Sequence, residues 1–173
     1  SGRVLAQGEI GVIEVKGPNV FQGYWRMPEK TASEFRADGF FITGDLGKVD
    51  ERGYVHIVGR AKDLIISGGF NVYPKEVESE IDALPGVVES AVVGVPHPDF
   101  GEGVTAVVVA KAGAEITAKG IAQALEQRLA KFKQPKQVFV VAELPRNTMG
   151  KVQKNLLREQ YKDIYARLGK AGA

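Results

Sequence analysis

The sequence contains no cysteine and few residues that commonly bind transition metals. Its 173 residues include no Cys and only two His. The lack of cysteine excludes thiol nucleophiles, disulfide frameworks and cysteine-ligated metal sites, and it is compatible with a reducing cytoplasm. The two histidines, His56 and His97, lie far apart without a helical i, i+4 relation. We therefore expect no zinc site and assign no metal ligand.

Long apolar runs and blocks of a single charge are also missing. The longest apolar stretches, 88–96 and 104–110, are far shorter than the roughly 20 residues that a helix needs to span a bilayer. The 23 basic and 21 acidic residues are spread along the chain and give a net charge of +2. This distribution indicates no nucleic-acid partner, and the apolar lengths indicate no membrane span. The composition, 44% hydrophobic and 25% charged, is that of a globular protein.

The first sixty residues are predicted to form mostly antiparallel β structure. Residues 9–16 alternate between apolar and polar with period two, which is typical of a strand. Pro28 can begin a short helix, and 39–45 returns to a strand. The segment Asp50-Glu51-Arg52-Gly53 predicts a hairpin turn. Since the first strand has no earlier partner, we expect this part to come from a longer domain.

The composition changes after residue 60, and a compact α+β domain is predicted from about residue 63. A short apolar strand, 63–67, leads into a loop with paired glycines. Helices are predicted to begin at Pro74, Thr117 and Gln153, and further strands to lie at 88–95, 104–110 and 136–142. The buried stripe of the last helix is predicted to contain Leu157, Tyr161, Ile164 and Leu168. We expect the small Gly-Ala tail, 169–173, to be disordered.

Three polar segments carry candidate chemistry, and each has an ordinary structural explanation. Thr43-Gly44-Asp45 can be a polar turn after a strand, or Asp45 can accept hydrogen bonds from the two vicinal hydroxyls of a ribose. Residues 59–78 join charged residues, an apolar strand, a diglycine loop and a helix, which a domain linker explains only in part. Residues 144–154 end in a Gly-Lys pair near the start of a helix. A lysine in that position is usually a solvated charge.

The Gly150-Lys151 pair is not a Walker phosphate loop. That motif requires glycine where Pro145 stands and serine or threonine where Val152 stands.

Together the three segments resemble the adenylate-forming superfamily of acyl-CoA synthetases, luciferases and peptide-synthetase adenylation domains. The resemblance rests on TGD, GR-x-KD-x5-GG-x3-P-x-E-x-E and P-x4-GK, in this order and spacing, and it extends from Gly8 to about Tyr165. Within the superfamily, residues 65–74 and 145–154 look most like those of bacterial acid:CoA ligases, malonyl-CoA ligase in particular.

The resemblance implies a division of the chain. Residues 1–59 would be the last β subdomain of a large amino-terminal adenylation domain, and 60–62 would be a hinge. Residues 63–168 would form a small mobile C-terminal domain, in which an antiparallel sheet packs against helices. Lys62 stands at the hinge position, where changed backbone dihedrals would swing the small domain between two poses.

The resemblance also implies roles for particular side chains. Asp45 and Arg60 match residues that contact the ribose of ATP, and Lys151 matches the catalytic lysine of adenylation. The loop Ser67-Gly68-Gly69 would line the pantetheine channel. Candidates for contacts to the CoA nucleotide are Phe100, Phe132, Gln134 and Lys136. The basic cluster 131–136 suits phosphates, and a solvated helix end explains it equally well.

The implied activity is ATP-dependent formation of an acyl-adenylate, followed by transfer of the acyl group to CoA in the cytoplasm. Magnesium would accompany ATP and be bound mainly by residues outside this chain. The acid is not specified, although malonate or a fatty acid is favoured. Two alternatives are an adenylation domain that loads a carrier protein and a non-catalytic substrate of a lysine acetyltransferase that modifies Lys151. Without a glycine-rich phosphate loop or an acyl pocket, the chain alone is expected to be inactive.

Overall fold

The chain divides into two compact units. The computed structural model describes the backbone of residues 2–171 and the side chains of residues 2–168. The first unit ends at Lys62 and the second begins at Asp63. Within the described residues, the helices are too short or too polar to cross a membrane.

The first unit is built on a three-stranded antiparallel sheet. Its strands, in the spatial order β1-β2-β3, are β1 (Gly11–Val15), β2 (Phe41–Val49) and β3 (Val55–Arg60). A short helix, α1 (Pro28–Glu34), begins with proline, as its sequence predicts. The predicted hairpin turn forms where Asp50 accepts hydrogen bonds from the backbone of Arg52 and Tyr54, both at 2.9 Å.

One local expectation for the first unit is wrong. The segment Thr43-Gly44-Asp45 lies inside β2 and not in a turn after a strand. Gly44 has a positive φ of 73°, a conformation that glycine adopts more readily than other residues, and the strand continues through it. A polar turn is therefore not the explanation for the acidic residue of this segment.

The second unit is α+β, as expected. Its sheet contains β4 (Ile65–Ser67), β5 (Phe70–Val72), β6 (Val87–His97), β7 (Gly101–Ala110) and β8 (Gln137–Val141). The spatial order is β5-β4-β7-β6, and β8 pairs with β7. The sheet is antiparallel except for the β7–β8 pair, which is parallel. The sequence did not predict β5, because its three residues follow directly on the diglycine loop.

Two layers of helices cover the two faces of this sheet. One core contains residues of α2 (Pro74–Asp82) and α3 (Ala118–Leu125), and the other contains residues of α4 (Lys154–Tyr161). The alternation of side chains along β6 assigns them to the two cores, since Val92 packs on the first while Ala91 and Val93 pack on the second. The β6–β7 hairpin is therefore the centre of the unit, and both ends of the hairpin are positioned by a core on each side.

The last helical segment differs from its prediction. The structure has two helices, α4 and α5 (Ile164–Ala171), separated at 162–163 where one was predicted. The break changes the helical phase, so Tyr165 is buried with 5% exposure while Leu168 is 50% exposed. Helix α5 continues through the first three residues of the predicted disordered tail, and residues 172 and 173 lie outside the described part of the chain.

Candidate functional site

Asp45 and Arg60 meet on neighbouring strands. They are register partners in β2 and β3, and Arg60 Nε lies 2.8 Å from Asp45 Oδ1. Arg60 also donates a hydrogen bond to the Thr43 carbonyl at 3.2 Å, while the Thr43 hydroxyl accepts one from the Asp45 amide at 3.0 Å. The carboxylate is thus fixed in place, and its second oxygen remains an acceptor suited to a hydroxyl.

Lys62 is exposed in a short 3-10 turn, Ala61–Asp63, at the boundary between the two units. The charged residues near it in sequence form ion pairs within different units. Arg60 is paired with Asp45 in the first unit, and Asp63 Oδ1 accepts a 2.6 Å hydrogen bond from Arg158 in the second. Between these two ion pairs only Ala61 and Lys62 are left.

Lys151 is exposed on a loop whose backbone is well fixed. Arg146 and Val152 form an isolated antiparallel bridge that closes the loop. Inside it the Asn147 side-chain oxygen accepts hydrogen bonds from the amides of Met149 at 3.0 Å and Lys151 at 2.9 Å. Among the residues that the structure describes, the Lys151 ammonium forms no salt bridge. The arrangement presents a free cation on a rigid support.

Two carboxylates support this loop and the helix that follows it. Glu89 of β6 pairs with Arg146, which also donates to the Gly150 carbonyl at 2.6 Å. Glu78 of α2 is only 7% exposed. Its Oε1 accepts the Val92 amide at 2.9 Å and lies 2.6 Å from Lys154 Nζ, at the first residue of α4.

Glu78 ends the P-x-E-x-E motif, so the sequence contained a signal for this carboxylate but not its partners. The partners lie 14 and 76 residues later in the chain. The other glutamate of the motif, Glu76, pairs with Lys133 at 2.6 Å. The two motif glutamates therefore connect α2 to two separate segments, the 131–136 cluster and the start of α4.

Gly68 and Gly69 form the two-residue turn between β4 and β5. Their φ angles are 58° and 81°, and Ser67 pairs with Phe70 across the turn. Positive φ at both central residues matches the twist of a tight hairpin and favours glycine. A Cβ on Gly68 would lie 3.2 Å from the Phe100 ring, whereas a Cβ on Gly69 would meet no atom within 4 Å. Gly69 is thus the open tip of the loop, and Ser67 is buried beneath it with 2% exposure.

Phe100 and Lys136 come together beside this turn. Lys136 Nζ lies 3.8 Å from the centre of the Phe100 ring, and the ring of His97 makes an edge contact with it at 4.7 Å between centroids. Burial lowers the pKa of His97, and the positive charge of Lys136 lowers it further, against an opposing effect of Asp99. Phe100 is 39% exposed, so an aromatic surface with an adjacent cation faces outward here.

Phe132 and Gln134 have structural partners of their own. Phe132 packs against the first core and stacks on Phe70 at 4.7 Å between ring centroids. The Gln134 amide donates to the carbonyls of Leu129 at 2.9 Å and Glu126 at 3.4 Å, just beyond the end of α3. The structure thus joins Phe132 to the diglycine hairpin through Phe70, while the amide nitrogen of Gln134 bonds to the segment that follows α3.

The lysine loop and the diglycine turn lie toward opposite ends of β6. Glu89, near the start of β6, holds the lysine loop, and His97, at its end, contacts Phe100. Eight residues of extended strand separate them, roughly 26 Å at 3.3 Å per residue. We call residues 146–152 the lysine end, and residues 66–70 together with Phe100 and Lys136 the glycine end.

The described residues contain no group of three or more His, Asp or Glu side chains that could hold a metal ion. ATP-dependent enzymes use magnesium, which takes oxygen ligands from carboxylates, waters and phosphates. The donor set in this part of the molecule does not fit such a site.

Comparison with known proteins relates part of the chain to a described family. Residues 76–151 match the family described as the AMP-binding enzyme C-terminal domain. The chain is 52% identical, over 161 residues, to a methyl-dioxo-octahydro-indenyl-propanoyl:CoA ligase of Rhodococcus jostii (strain RHA1), and the match covers 93% of this chain and 31% of that protein.

Solved structures also match the chain. ATP-bound MatB from Rhodopseudomonas palustris is 75% identical with a TM-score of 0.87, and the match covers 93% of this chain and 32% of that one. Apo MatB from the same source is 74% identical with a TM-score of 0.71, over 95% of this chain and 33% of that one. The chain therefore spans about a third of the length of these relatives. Residues 76–151 thus match the AMP-binding enzyme C-terminal domain, and the proteins similar to the chain as a whole include acyl-CoA ligases.

Proposed function

We propose that the chain acts as part of a longer, AMP-forming acid:CoA ligase. The observation that carries this proposal is the free ammonium of Lys151, exposed on a loop whose backbone is fixed by Asn147 and Arg146. A carboxylate that approaches the α-phosphate of ATP is repelled by it, and negative charge builds on the phosphoryl oxygens in the transition state. A preorganised cation at that position stabilises both anions.

In the first half-reaction, a carboxylate oxygen of the acid attacks the α-phosphorus, and the bond to the bridging oxygen of the β-phosphate breaks. Pyrophosphate leaves with the electron pair of that bond, and an acyl-adenylate remains. Lys151 stabilises the developing charge, while Asp45 and Arg60 hold the ribose hydroxyls. Magnesium would accompany ATP and be bound by residues outside this chain, since the described residues offer no fitting cluster of ligands.

In the second half-reaction, the sulfur of CoA attacks the acyl carbonyl carbon and AMP leaves. We assign the glycine end to this step. A narrow channel for pantetheine requires a wall without side chains, which the Gly68-Gly69 backbone and the buried Ser67 provide. Phe100 and Lys136 suit the adenine and phosphates of CoA, and Phe132, which stacks on Phe70 of the same hairpin, and Gln134 are further candidates for contacts to the CoA nucleotide.

We assign the chain to two domains and a hinge, and rotation about the hinge would change the pose of the mobile domain between the two half-reactions. Residues 1–59 form the end of the adenylation domain, 60–62 the hinge and 63–168 the mobile domain. The ion pairs of Arg60 and Asp63 leave Ala61 and Lys62 as the residues that absorb a dihedral change.

The acid and the setting are also part of the proposal. Malonate is the first acid to test, because residues 65–74 and 145–154 resemble malonyl-CoA ligase, and fatty acids come next. The reaction would take place in the cytoplasm, where ATP and CoA are available. The chain alone is expected to be inactive, because residues that bind the acid and the triphosphate would lie outside it.

Lys151 is also a candidate for regulation by a lysine acetyltransferase. Its exposure permits access, and acetylation would remove the positive charge that adenylation needs. Incubation of the longer ligase with a lysine acetyltransferase and acetyl-CoA should modify Lys151 and reduce pyrophosphate release. Modification elsewhere without loss of pyrophosphate release would count against this regulation.

The decisive test of the function uses the longer protein that contains this chain. Pyrophosphate release and loss of CoA thiol are measured with malonate, short-chain, long-chain and aromatic acids. Acid-dependent release of pyrophosphate coupled to thiol loss supports the ligase. Pyrophosphate release without thiol loss from CoA, but with loading of a carrier protein, would favour the alternative adenylation function.

A further inference from the structure

The diglycine hairpin is attached to the main sheet over a very short distance. Strand β4 has three residues, and it pairs with β7 only through Ser67 and Gly101. Its longer ladder is with β5, which is itself a three-residue strand at the edge of the sheet. An edge hairpin with so few ladder bonds opens easily unless other groups hold it.

The side chains of Ile65 and Val72 pack in the first core, and residues 100–102 add polar attachments. The Gly68 amide donates to the Phe100 carbonyl at 2.9 Å, beside the Ser67–Gly101 pair. The Ile66 amide donates to Glu102 Oε2 at 2.7 Å, which is the length of a charge-assisted hydrogen bond. Of these polar attachments, only the one from Glu102 comes from a side chain.

The residues around Glu102 leave space for its carboxylate at the position where it accepts the Ile66 hydrogen bond. Its register partner on β6 is Pro96, which has no amide hydrogen to donate. On the same strand, a Cβ on Gly94 would lie 2.6 Å from Glu102 Oε1. Gly94 is buried at the centre of a strand, where glycine is unfavourable, and the space it leaves is the space that the carboxylate occupies.

We infer that Glu102 is a positioning residue for thioester formation. Its carboxylate holds the β4–β5 hairpin, so that the backbone of Gly68 and Gly69 keeps the position that the thiol of CoA must pass. This inference rests on the proposed CoA ligase function, and it adds to that function a residue that would not itself touch CoA or the adenylate. A displacement of about 1 Å in a positioning element can reduce a rate by about a hundredfold.

The first test follows amide hydrogen exchange in the 173-residue chain itself. Glu102→Ala should increase exchange at Ile66 and Gly68 on the order of tenfold, and leave the Val107 amide in the centre of β7 unchanged. Glu102→Gln should restore most of the protection, because its amide oxygen still accepts the Ile66 hydrogen bond. Glu115→Ala, at an exposed loop position, is the matched control. Unchanged exchange in Glu102→Ala, or an equal increase throughout the sheet, would contradict the inference.

The second test measures the two half-reactions in the longer ligase. Glu102→Ala should lower thioester formation from supplied acyl-adenylate on the order of tenfold or more, with pyrophosphate release unchanged and activity largely recovered in Glu102→Gln. Full thioester formation by Glu102→Ala, next to an active wild type, overturns the positioning role alone. A wild type that releases no pyrophosphate with any acid overturns the proposed function, and that failure is recognised without any variant.

Discussion

The two ends of the β6–β7 hairpin present opposite kinds of surface. At the lysine end, side-chain ion pairs hold the loop through Arg146 and Lys154, and one ammonium is left exposed. At the glycine end the loop is held largely through its backbone, and the exposed element is the backbone of Gly69 beside the Phe100 ring. The comparison teaches that one hairpin can present an exposed charge at one end and an exposed glycine backbone beside an aromatic ring at the other.

Removing the exposed charge at the lysine end should have the largest effect. Lys151→Ala in the longer ligase is expected to lower pyrophosphate release about 10² to 10³-fold, the usual effect of removing one preorganised electrostatic contact. Lys119→Ala, which removes an exposed lysine of α3, is the control and should release pyrophosphate normally. A normal rate in Lys151→Ala would remove the basis for assigning adenylation to this end.

Removing the buried support of the lysine end should weaken folding. Glu78→Gln keeps an acceptor for the Val92 amide but leaves the largely buried Lys154 without a counter-charge. We expect the free energy of unfolding to fall by about 3 kcal/mol, as for other broken buried pairs. Glu80 lies on the same helix as Glu78 and forms an exposed pair with Arg128. Glu80→Gln breaks that pair and should lower the free energy of unfolding by less than about 1 kcal/mol. Equal losses in denaturant titrations of the two variants would show that the buried Glu78–Lys154 pair contributes no more to stability than an exposed pair.

Adding a side chain at the glycine end should affect the other half-reaction. Gly69→Val strains a residue with φ of 81° and fills the open tip of the loop. Thioester formation should fall about tenfold to a hundredfold, while pyrophosphate release is kept. Gly113→Val is a matched control, because Gly113 also has a positive φ, 75°, and an open Cβ position. If both valine variants slow thioester formation equally, backbone strain and not the channel explains the loss.

The smallest effect is expected at the tyrosine that supports the start of β7. Tyr165 donates to the Val104 carbonyl at 3.1 Å and lies 3.0 Å from the Thr105 hydroxyl. Tyr165→Phe should cost about 1 kcal/mol, which is the usual net value of such a bond. Chemical denaturation of Tyr54→Phe, an exposed position, gives the reference value.

The same tyrosine predicts a pH dependence. Burial raises the pKa of Tyr165 from 10.0 to about 12, so the folded state keeps its proton over a range in which the unfolded state loses it. The contribution of this proton to stability is complete below pH 10 and is lost as the pH rises toward 12. Tyr165→Phe should therefore lose less stability than wild type between pH 10 and pH 12. An identical slope in both proteins would contradict the burial of this hydroxyl.

The sequence predicted the elements better than the connections between them. Period-two alternation and helix-start residues located β6, β7, α2 and α3, because such signals are local. It predicted one continuous last helix and missed the break before α5, which moves Tyr165 into the core in place of Leu168. A buried tyrosine hydroxyl needs hydrogen-bond partners, and those of Tyr165 lie about sixty residues earlier in the chain, where local sequence patterns do not reveal them.

For the candidate site too, the sequence identified the motif residues but not the residues that support them. The motifs named Asp45, Arg60 and Lys151, and the structure places the first two in contact. The sequence could not reveal that Glu78 and Glu102 support the two ends of the hairpin, because the groups they contact are distant in sequence. Glu78 binds the Val92 amide and the Lys154 ammonium, and Glu102 binds the Ile66 amide. The catalytic and binding roles of the motif residues stay predictions until kinetics are measured.

The most direct test of the account compares the two half-reactions in Lys151→Ala and Gly69→Val of the longer ligase. Pyrophosphate release and thioester formation from supplied acyl-adenylate are measured separately for each variant. The account predicts a crossed result, in which Lys151→Ala loses only the first activity and Gly69→Val loses only the second. Loss of both activities in both variants would contradict the assignment of the two ends of the hairpin to separate half-reactions.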